Sequence, residues 1–486
     1  MQVGRDTIYY LPAKIVPAIA GFIGIAIYTR LLNPEGYGLY IIVITTVSII
    51  SSLFFSWLDS STLRYFERYK QRNALPRFIS TGLFSLLSLF FMVSAIWYLS
   101  TVFLNNYLDL QLIFLLRIGI LVLGAHVGYS WIQTILRSNR QSLQYSLYSS
   151  IESVGRLSLA IFLLYLLPIG PAALLWATFF VSAGIFIVEV IRFLRKWKIH
   201  FQEFSRSLLN RFAKYGIPLV GVSVGALILS VLDRYMIQYF LGSGQVGIYS
   251  AGYRISEAGL QLFFTVLMLA AFPIIIQSFE KNGEKETSKF LTKLISIYFV
   301  FLLPAVLGIA VLSKDIVGVV LGSSFQEACG ILPLITGGVF CLGLTQYLNK
   351  PFELKERTKS LFYLVLGSSF LNIILNFFWI PKFGIIGAAW ATFISYLFYL
   401  IISWLKNIKW FLFSSIWKSV VKSILAGIVM YFILASVLQS FPINFLTLLG
   451  KILIGGIVYM IMLILLKEEN IFKIYYYFRS SFKKHC

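Results

Sequence analysis

Apolar stretches long enough to cross a bilayer follow one another along nearly the whole chain, and they constrain its fold more than any single motif does. A spanning helix needs roughly 20 mostly apolar residues. Cutting at Gly/Pro turns and charged loops gives fourteen such segments, at about 8–32, 39–63, 78–104, 111–136, 147–167, 172–194, 212–241, 248–277, 290–312, 329–349, 361–380, 386–405, 420–439 and 447–467. Hydrophobic residues fill 59% of the 486 positions and charged residues only 12%, which removes the soluble globular classes. The expected fold is therefore an all-α polytopic membrane protein with 14 transmembrane helices. The run from Ile8 to about Leu32 exceeds the apolar core of a secretory leader and has no A-x-A site, so it is read as the first span.

Charge follows the same plan. Connections after odd-numbered segments, such as 33–38, 105–110, 168–171 and 381–384, are short and nearly uncharged, whereas those after even-numbered segments are basic. Of the 41 Lys and Arg residues, 32 fall on that second side or in the termini. The positive-inside rule then places both termini in the cytoplasm. The net charge of +22 is accordingly a topological signal, and it requires no nucleic-acid partner.

The chain also looks duplicated. LLNPEGYGLY (Leu31 to Tyr40) matches FLGSGQVGIY (Phe240 to Tyr249) at Leu32/Leu241, Gly38/Gly247 and Tyr40/Tyr249, a constant offset of 209. The tetrapeptide WATF recurs at Trp176–Phe179 and Trp390–Phe393, an offset of 214. Six helices per copy is an even number, so the copies share one orientation and form a parallel repeat about an axis along the membrane normal. The expected organisation is an N-lobe over 1–200, a C-lobe over 201–410, and two extra helices with a basic cytoplasmic tail over 411–486. No charge occurs between Ser423 and Gly450, which suits helices that face lipid or an acyl chain.

Intramembrane charges are costly and mark candidate sites. The stretch Leu232–Glu257 carries two charge pairs, Asp233 with Arg234 and Arg254 with Glu257, on helices that meet at a Gly/Ser turn over Gly242–Gly247. Glu152 precedes Arg156 by four, which puts acid and base on one helix face, as either a self-neutralised structural pair or a ligand-reading one. Lys14, Arg30, Arg117, Arg156, Arg234 and Arg254 outnumber Glu152, Asp233 and Glu257 by three, and an uncompensated positive site wants an anion. Guanidinium donors match phosphate oxygens bidentately, so a phosphate or pyrophosphate headgroup is the expected partner. Arg30 and Lys14 are alternatively snorkellers at the two interfaces, as Lys314, Lys382 and Lys451 are expected to be at outer helix ends. Asp59, Glu152, Asp233 and Glu257 are candidate H+ or Na+ coupling groups, or else charge partners for neighbouring bases. His126 reads as an interhelical hydrogen-bonding residue or a proton relay.

Other signals are absent. Cys329, Cys341 and Cys486 form no framework, the three histidines are scattered, and no metal-ligand cluster, phosphate-binding P-loop or resident cofactor motif occurs. The longest outer loop, about 313–328, is too short for a catalytic domain, so an enzyme is not expected.

The 6 + 6 + 2 plan, L-x-P-E-x-Y-G-L-Y after the first helix, and D-R-x-x-I-x-x-x-L-G-x-x-x-V-G-x-Y-S-A from Asp233 to Ala251, followed by Arg254-Ile255, together resemble the polysaccharide transporter family. These are the Wzx-type O-antigen flippases of the multidrug/oligosaccharidyl-lipid/polysaccharide exporter superfamily. The resemblance implies a flippase of the bacterial inner membrane that carries undecaprenyl-pyrophosphate-linked oligosaccharide units to the outer leaflet by alternating access, for O-antigen and lipopolysaccharide assembly. A polysaccharide polymerase and chain-length machinery are the implied partners, beside membrane lipid. It also implies that helices 13 and 14 hold the polyprenyl tail. Asp59, in Trp57-Leu58-Asp59, departs from the family's apolar or Gly position, which leaves its role open. In that frame Arg117, Arg234 and Arg254, with Arg156 and Arg30, hold the pyrophosphate and acidic sugars, while Asp233 and Glu257 tune or couple binding. The alternative is a cation-coupled multidrug antiporter of the same superfamily, for which an acid-rich cavity would be expected.

Overall fold

The computed structural model describes residues 11–197, 200–411, 413–436 and 441–469. Arg5, the start of the first expected segment (8–10), the end of the thirteenth (437–439) and the basic tail from 470 lie outside the described residues. Among the described residues every regular element is a helix.

Dense packing divides the chain into two units, Met1–Gly247 and Ile248–Cys486. The first opens with α1 (Pro12–Leu31) and α2 (Pro34–Phe54), both with Pro at their first turn. The Asn33 side chain caps α2 by accepting the Gly36 N–H at 2.8 Å. Phe55 (φ −119°, ψ −22°) breaks the expected second span, and α3 (Ser56–Gln71) carries the chain on into a basic loop. α4 (Leu75–Phe103), α5 (Leu110–Ser138), α6 (Ser142–Leu166) and α7 (Ala172–Trp197) follow. α5 is the centre of this unit, packed on α2, α3, α4 and α7. α6 packs on α1 and α7 and is its least covered span, with only 11% of its most apolar window buried. α8 (Arg206–Leu241) ends at Gly242, whose φ of +83° needs no Cβ, and α9 (Ser243–Val311) begins at the next residue. The turn expected over Gly242–Gly247 is thus one residue long, and residues 243–247 already form the first turn of α9.

The two sequence-matched turns meet in space. A Cβ on Gly38 would fall 1.8 Å from the Ser243 carbonyl oxygen, and one on Gly247 would fall 2.0 Å from that of Pro34. Since 34 and 38 become 243 and 247 under the same offset of 209, the contact is reciprocal. The WATF copies share geometry as well. The Trp176 and Phe179 rings lie 5.8 Å apart at 78°, and Trp390 and Phe393 lie 5.9 Å apart at 75°.

The second unit contains most of α9, then α10 (Ser313–Val320), α11 (Leu332–Leu348), α12 (Lys350–Leu354), α13 (Thr358–Asn407), α14 (Phe413–Ser436) and α15 (Phe445–Leu465). At a 1.5 Å rise the 69 residues of α9 would run about 100 Å, some three bilayer cores, so the run has to turn back. It does so at Gly283 (φ +76°), and α13 does the same at Gly384 (φ +61°). By length and apolarity, ten of the described helices can cross a membrane, or eleven if the bent stretch over 323–354 counts as one. Two expected pairs of segments are thus single helical runs interrupted at one glycine each.

The C-terminal helices are fastened at several points within their unit. Tyr459 on α15 donates to the Val300 carbonyl at 2.9 Å. Ser419 donates to the buried Glu468 carboxylate at 2.6 Å, and Lys422 lies 3.7 Å from it. Lys451 is a correction to the sequence reading. It does not snorkel to water but is 3% exposed, with Nζ 2.9 Å from Asp315 on α10. Lys314 and Lys382 are exposed.

Candidate functional site

The six bases singled out in the spans fall into three environments. Arg156 and Arg254 form open pairs. Arg156 Nη1 lies 3.6 Å from Glu152 Oε1 with the side chains 37% and 15% exposed, and Arg254 Nη1 lies 3.7 Å from Glu257 Oε2 with 57% and 25% exposed. Counting the rise from the helix starts puts Arg156 roughly 21 Å along α6, near the middle of that helix, and Arg254 roughly 17 Å along α9, in the first part of its leg before Gly283. Both distances exceed those of a closed charge-assisted hydrogen bond, so each guanidinium keeps donors for another acceptor.

Arg234 is closed in. Its guanidinium meets Asp233 at 3.2 Å and donates to the Ser230 carbonyl at 2.6 Å, with both side chains nearly inaccessible. Acid and base of this pair are adjacent on α8. One residue on, Tyr235 shares a 2.7 Å hydroxyl bond with Thr46 of α2, and both line an apolar cavity of about 370 Å³ between α2, α4, α5 and α8.

The other three bases lie on exposed surface. Arg117 stands 5.5 Å over the Tyr98 ring, a cation–π contact between α5 and α4. Arg30 donates to the Ala26 carbonyl at 2.6 Å in its own helix, and Lys14 is exposed.

Arg156 has company that spacing did not indicate. Tyr28 of α1, Tyr40 of α2 and Tyr129 of α5 share its electrostatic surroundings, and His126 lies near enough to sense its charge. Tyr129 accepts from Gln133 at 2.7 Å. Phenols from three other helices of the unit thus share the surroundings of the Glu152–Arg156 pair. Asp59 belongs to another corner, where its carboxylate accepts from Ser130 at 2.9 Å. Its partner sits on α5, 71 residues away.

Three buried acids were not singled out in the sequence. Glu189 on α7 is 1% exposed and accepts from Tyr148 and from Arg192, the latter at 2.6 Å. Asp315 and Glu468 form the C-terminal fastenings. Only Glu189 carried a readable signal, an Arg three residues on. Among the described residues no three His, Cys, Asp or Glu side chains converge as a metal site.

Long apolar helices define a multi-pass membrane protein, and solved structures show which fold this is. Lipid II flippase MurJ in an inward closed conformation superposes on 94% of this chain and 98% of its own with a TM-score of 0.76 at 19% identity. An inward-facing multidrug resistance MATE family transporter of the MOP superfamily covers 82% of this chain and 97% of its own, with a TM-score of 0.67 at 14% identity. At such identities the likeness is one of fold. Within that class, residues 3–279 match the family described as polysaccharide biosynthesis protein, and the chain belongs to that family. The probable low-salt glycan biosynthesis flippase Agl15 of Haloferax volcanii is 29% identical over 192 residues, and the match spans 40% of each chain.

Proposed function

We propose that this protein is a flippase, not an enzyme, that moves a polyprenyl-pyrophosphate-linked oligosaccharide across the membrane for surface polysaccharide synthesis. The observation that carries this reading is the pair of open Arg–Glu contacts, one per unit, each within a long apolar helical run and each with an accessible guanidinium. A guanidinium in a low-dielectric setting holds a phosphate by paired, charge-assisted hydrogen bonds, and a loosely held carboxylate can exchange for it. Family membership and the flippase named among the relatives support the same substrate class.

In a bacterium the carrier would be undecaprenyl pyrophosphate, the membrane the cytoplasmic one and both termini cytoplasmic. Transport would proceed by alternating access of six-helix lobes, 1–200 and 201–410, with the carrier tail on the helices of 411–486. Glu152 and Glu257 are the proposed switch partners of the two arginines, and Asp233 and Asp59 the proposed H+ or Na+ coupling groups.

The test is transbilayer movement of a fluorescent polyprenyl-pyrophosphate oligosaccharide in proteoliposomes with an outer-leaflet quencher. Wild type should move it, and Arg156→Ala and Arg254→Ala should each slow movement tenfold or more at unchanged abundance. Full movement by both variants would overturn the reading. Proton-driven efflux of an organic cation without glycan movement would replace it with the antiporter, which the MATE likeness keeps in view.

A further inference from the structure

The basic-loop end of the second unit contains a concavity of about 530 Å³ that the transport reading does not use. Three separated stretches build it: the break after Gly283, the turn following α12, and the 3-10 turn at Ile408–Trp410 after α13. One edge is fixed internally. Lys355 Nζ bonds Glu284 at 2.7 Å and lies 4.9 Å from the centre of the Trp410 ring, while Ser288 donates to the Trp410 carbonyl.

Four further cations line it, Lys285, Arg357, Lys406 and Lys409, all exposed. Among the described residues no carboxylate lies within ion-pair distance of any of them. The neighbouring acids Glu286 and Glu353 are held by Lys289 and Lys350 at 2.5 and 2.6 Å, and Glu356 does not line the pocket. The positive-inside bias accounts for cations on this side of the membrane. It does not account for four of them converging on one concavity whose single lining acid is already taken.

We infer that this pocket binds the phosphate of an anionic membrane lipid of the leaflet that the positive-inside rule assigns to the cytoplasm. Four converging cations select a phosphate. The apolar residues interleaved in sequence with two of those cations select a lipid as its source. Leu405 and Ile408 are 58% and 45% exposed, alternate in sequence with Lys406 and Lys409, and stand beside Trp410, the residue type that settles at the headgroup level. Pro351 and Phe352 supply a buried apolar floor. The inference stands independently of what the protein transports.

The test uses the full chain in nanodiscs of equal parts phosphatidylcholine and phosphatidylglycerol, with lipids retained after detergent extraction counted by native mass spectrometry. Wild type should retain phosphatidylglycerol about tenfold over phosphatidylcholine, the preference that four phosphate-facing cations support. The quadruple Lys285→Gln, Arg357→Gln, Lys406→Gln, Lys409→Gln variant should lose that preference. A Lys285→Arg, Lys406→Arg, Lys409→Arg variant should keep it, which separates charge from folding. Equal retention of both lipids by wild type, or unchanged preference in the quadruple variant, overturns the inference. So does tight binding of soluble pyrophosphate that displaces the lipid at equal concentration, which would make the source a free phosphate.

Discussion

The middle of α6 in the first unit and the α10–α15 corner of the second each hold one acid and one base, and they are built in opposite ways. Lys451 and Asp315 are 3% and 13% exposed and touch at 2.9 Å, whereas Arg156 and Glu152 are 37% and 15% exposed and stand 3.6 Å apart. The first pair joins residues 136 apart in sequence and ties a terminal helix to its neighbour. The second sits within one helix and ties nothing. A closed pair between elements is a fastening, and an open pair within one element is available to a third charge. The second unit also holds buried contacts between neutral groups, as in the Tyr253–Tyr396 hydroxyl contact at 3.1 Å and the Asn376 amide donating to Asn372 at 2.9 Å.

Breaking the fastening should have the largest effect. Lys451→Met leaves the Asp315 carboxylate buried without its cation, and the expected loss is about 3 kcal/mol of stability, read as earlier thermal unfolding and easier proteolysis near α15. Adding Asp315→Leu should recover most of it. Unchanged stability in the single variant would remove the distinction between the two pairs. Next comes the reciprocal glycine contact, where Gly38→Ala drives a methyl against the Ser243 carbonyl. About 2 kcal/mol of destabilisation is expected from overpacking, visible as a lower melting temperature in detergent. A melting temperature equal to wild type would show that the turns separate readily.

Arg156→Ala should act on rate instead. A tenfold slower flux corresponds to about 1.4 kcal/mol, with abundance and melting unchanged because the contact with Glu152 is already open at 3.6 Å. A fall in stability comparable to that of Lys451→Met would instead place Arg156 among the fastenings. Tyr396→Phe should be smallest, about 0.6 kcal/mol, the average for one interhelical hydrogen bond in a membrane protein. A loss as large as that of Lys451→Met would show that neutral contacts also carry the second unit.

Much of the fold was legible because apolar run length and Gly/Pro punctuation report directly on what a bilayer permits. The turn at Gly242, the breaks at Gly283 and Gly384, and the WATF copies all fell where the sequence put them, although the turn shrank to one residue and two expected pairs of spans became single broken runs. The site was less legible because spacing does not encode exposure. Glu189–Arg192 and Arg254–Glu257 are both three apart, yet the first closes to 2.6 Å over a buried acid and the second stays open at 3.7 Å. Partners on other helices leave no local trace at all, as Asp59 with Ser130 and Lys451 with Asp315 show. Arg117 was singled out by charge alone, and its contact with the Tyr98 ring of α4 left no local signal.

The measurement that tests the central claim most directly compares two cargoes in the same proteoliposomes, one glycan linked to the carrier through pyrophosphate and the same glycan on an uncharged carrier. If the open pair reads phosphate, wild type moves the pyrophosphate-linked glycan much faster, Arg156→Lys keeps part of that preference, and Arg156→Ala moves both at similar low rates. A variant lacking the Arg156 guanidinium that still prefers the pyrophosphate-linked cargo as strongly as wild type would contradict the account.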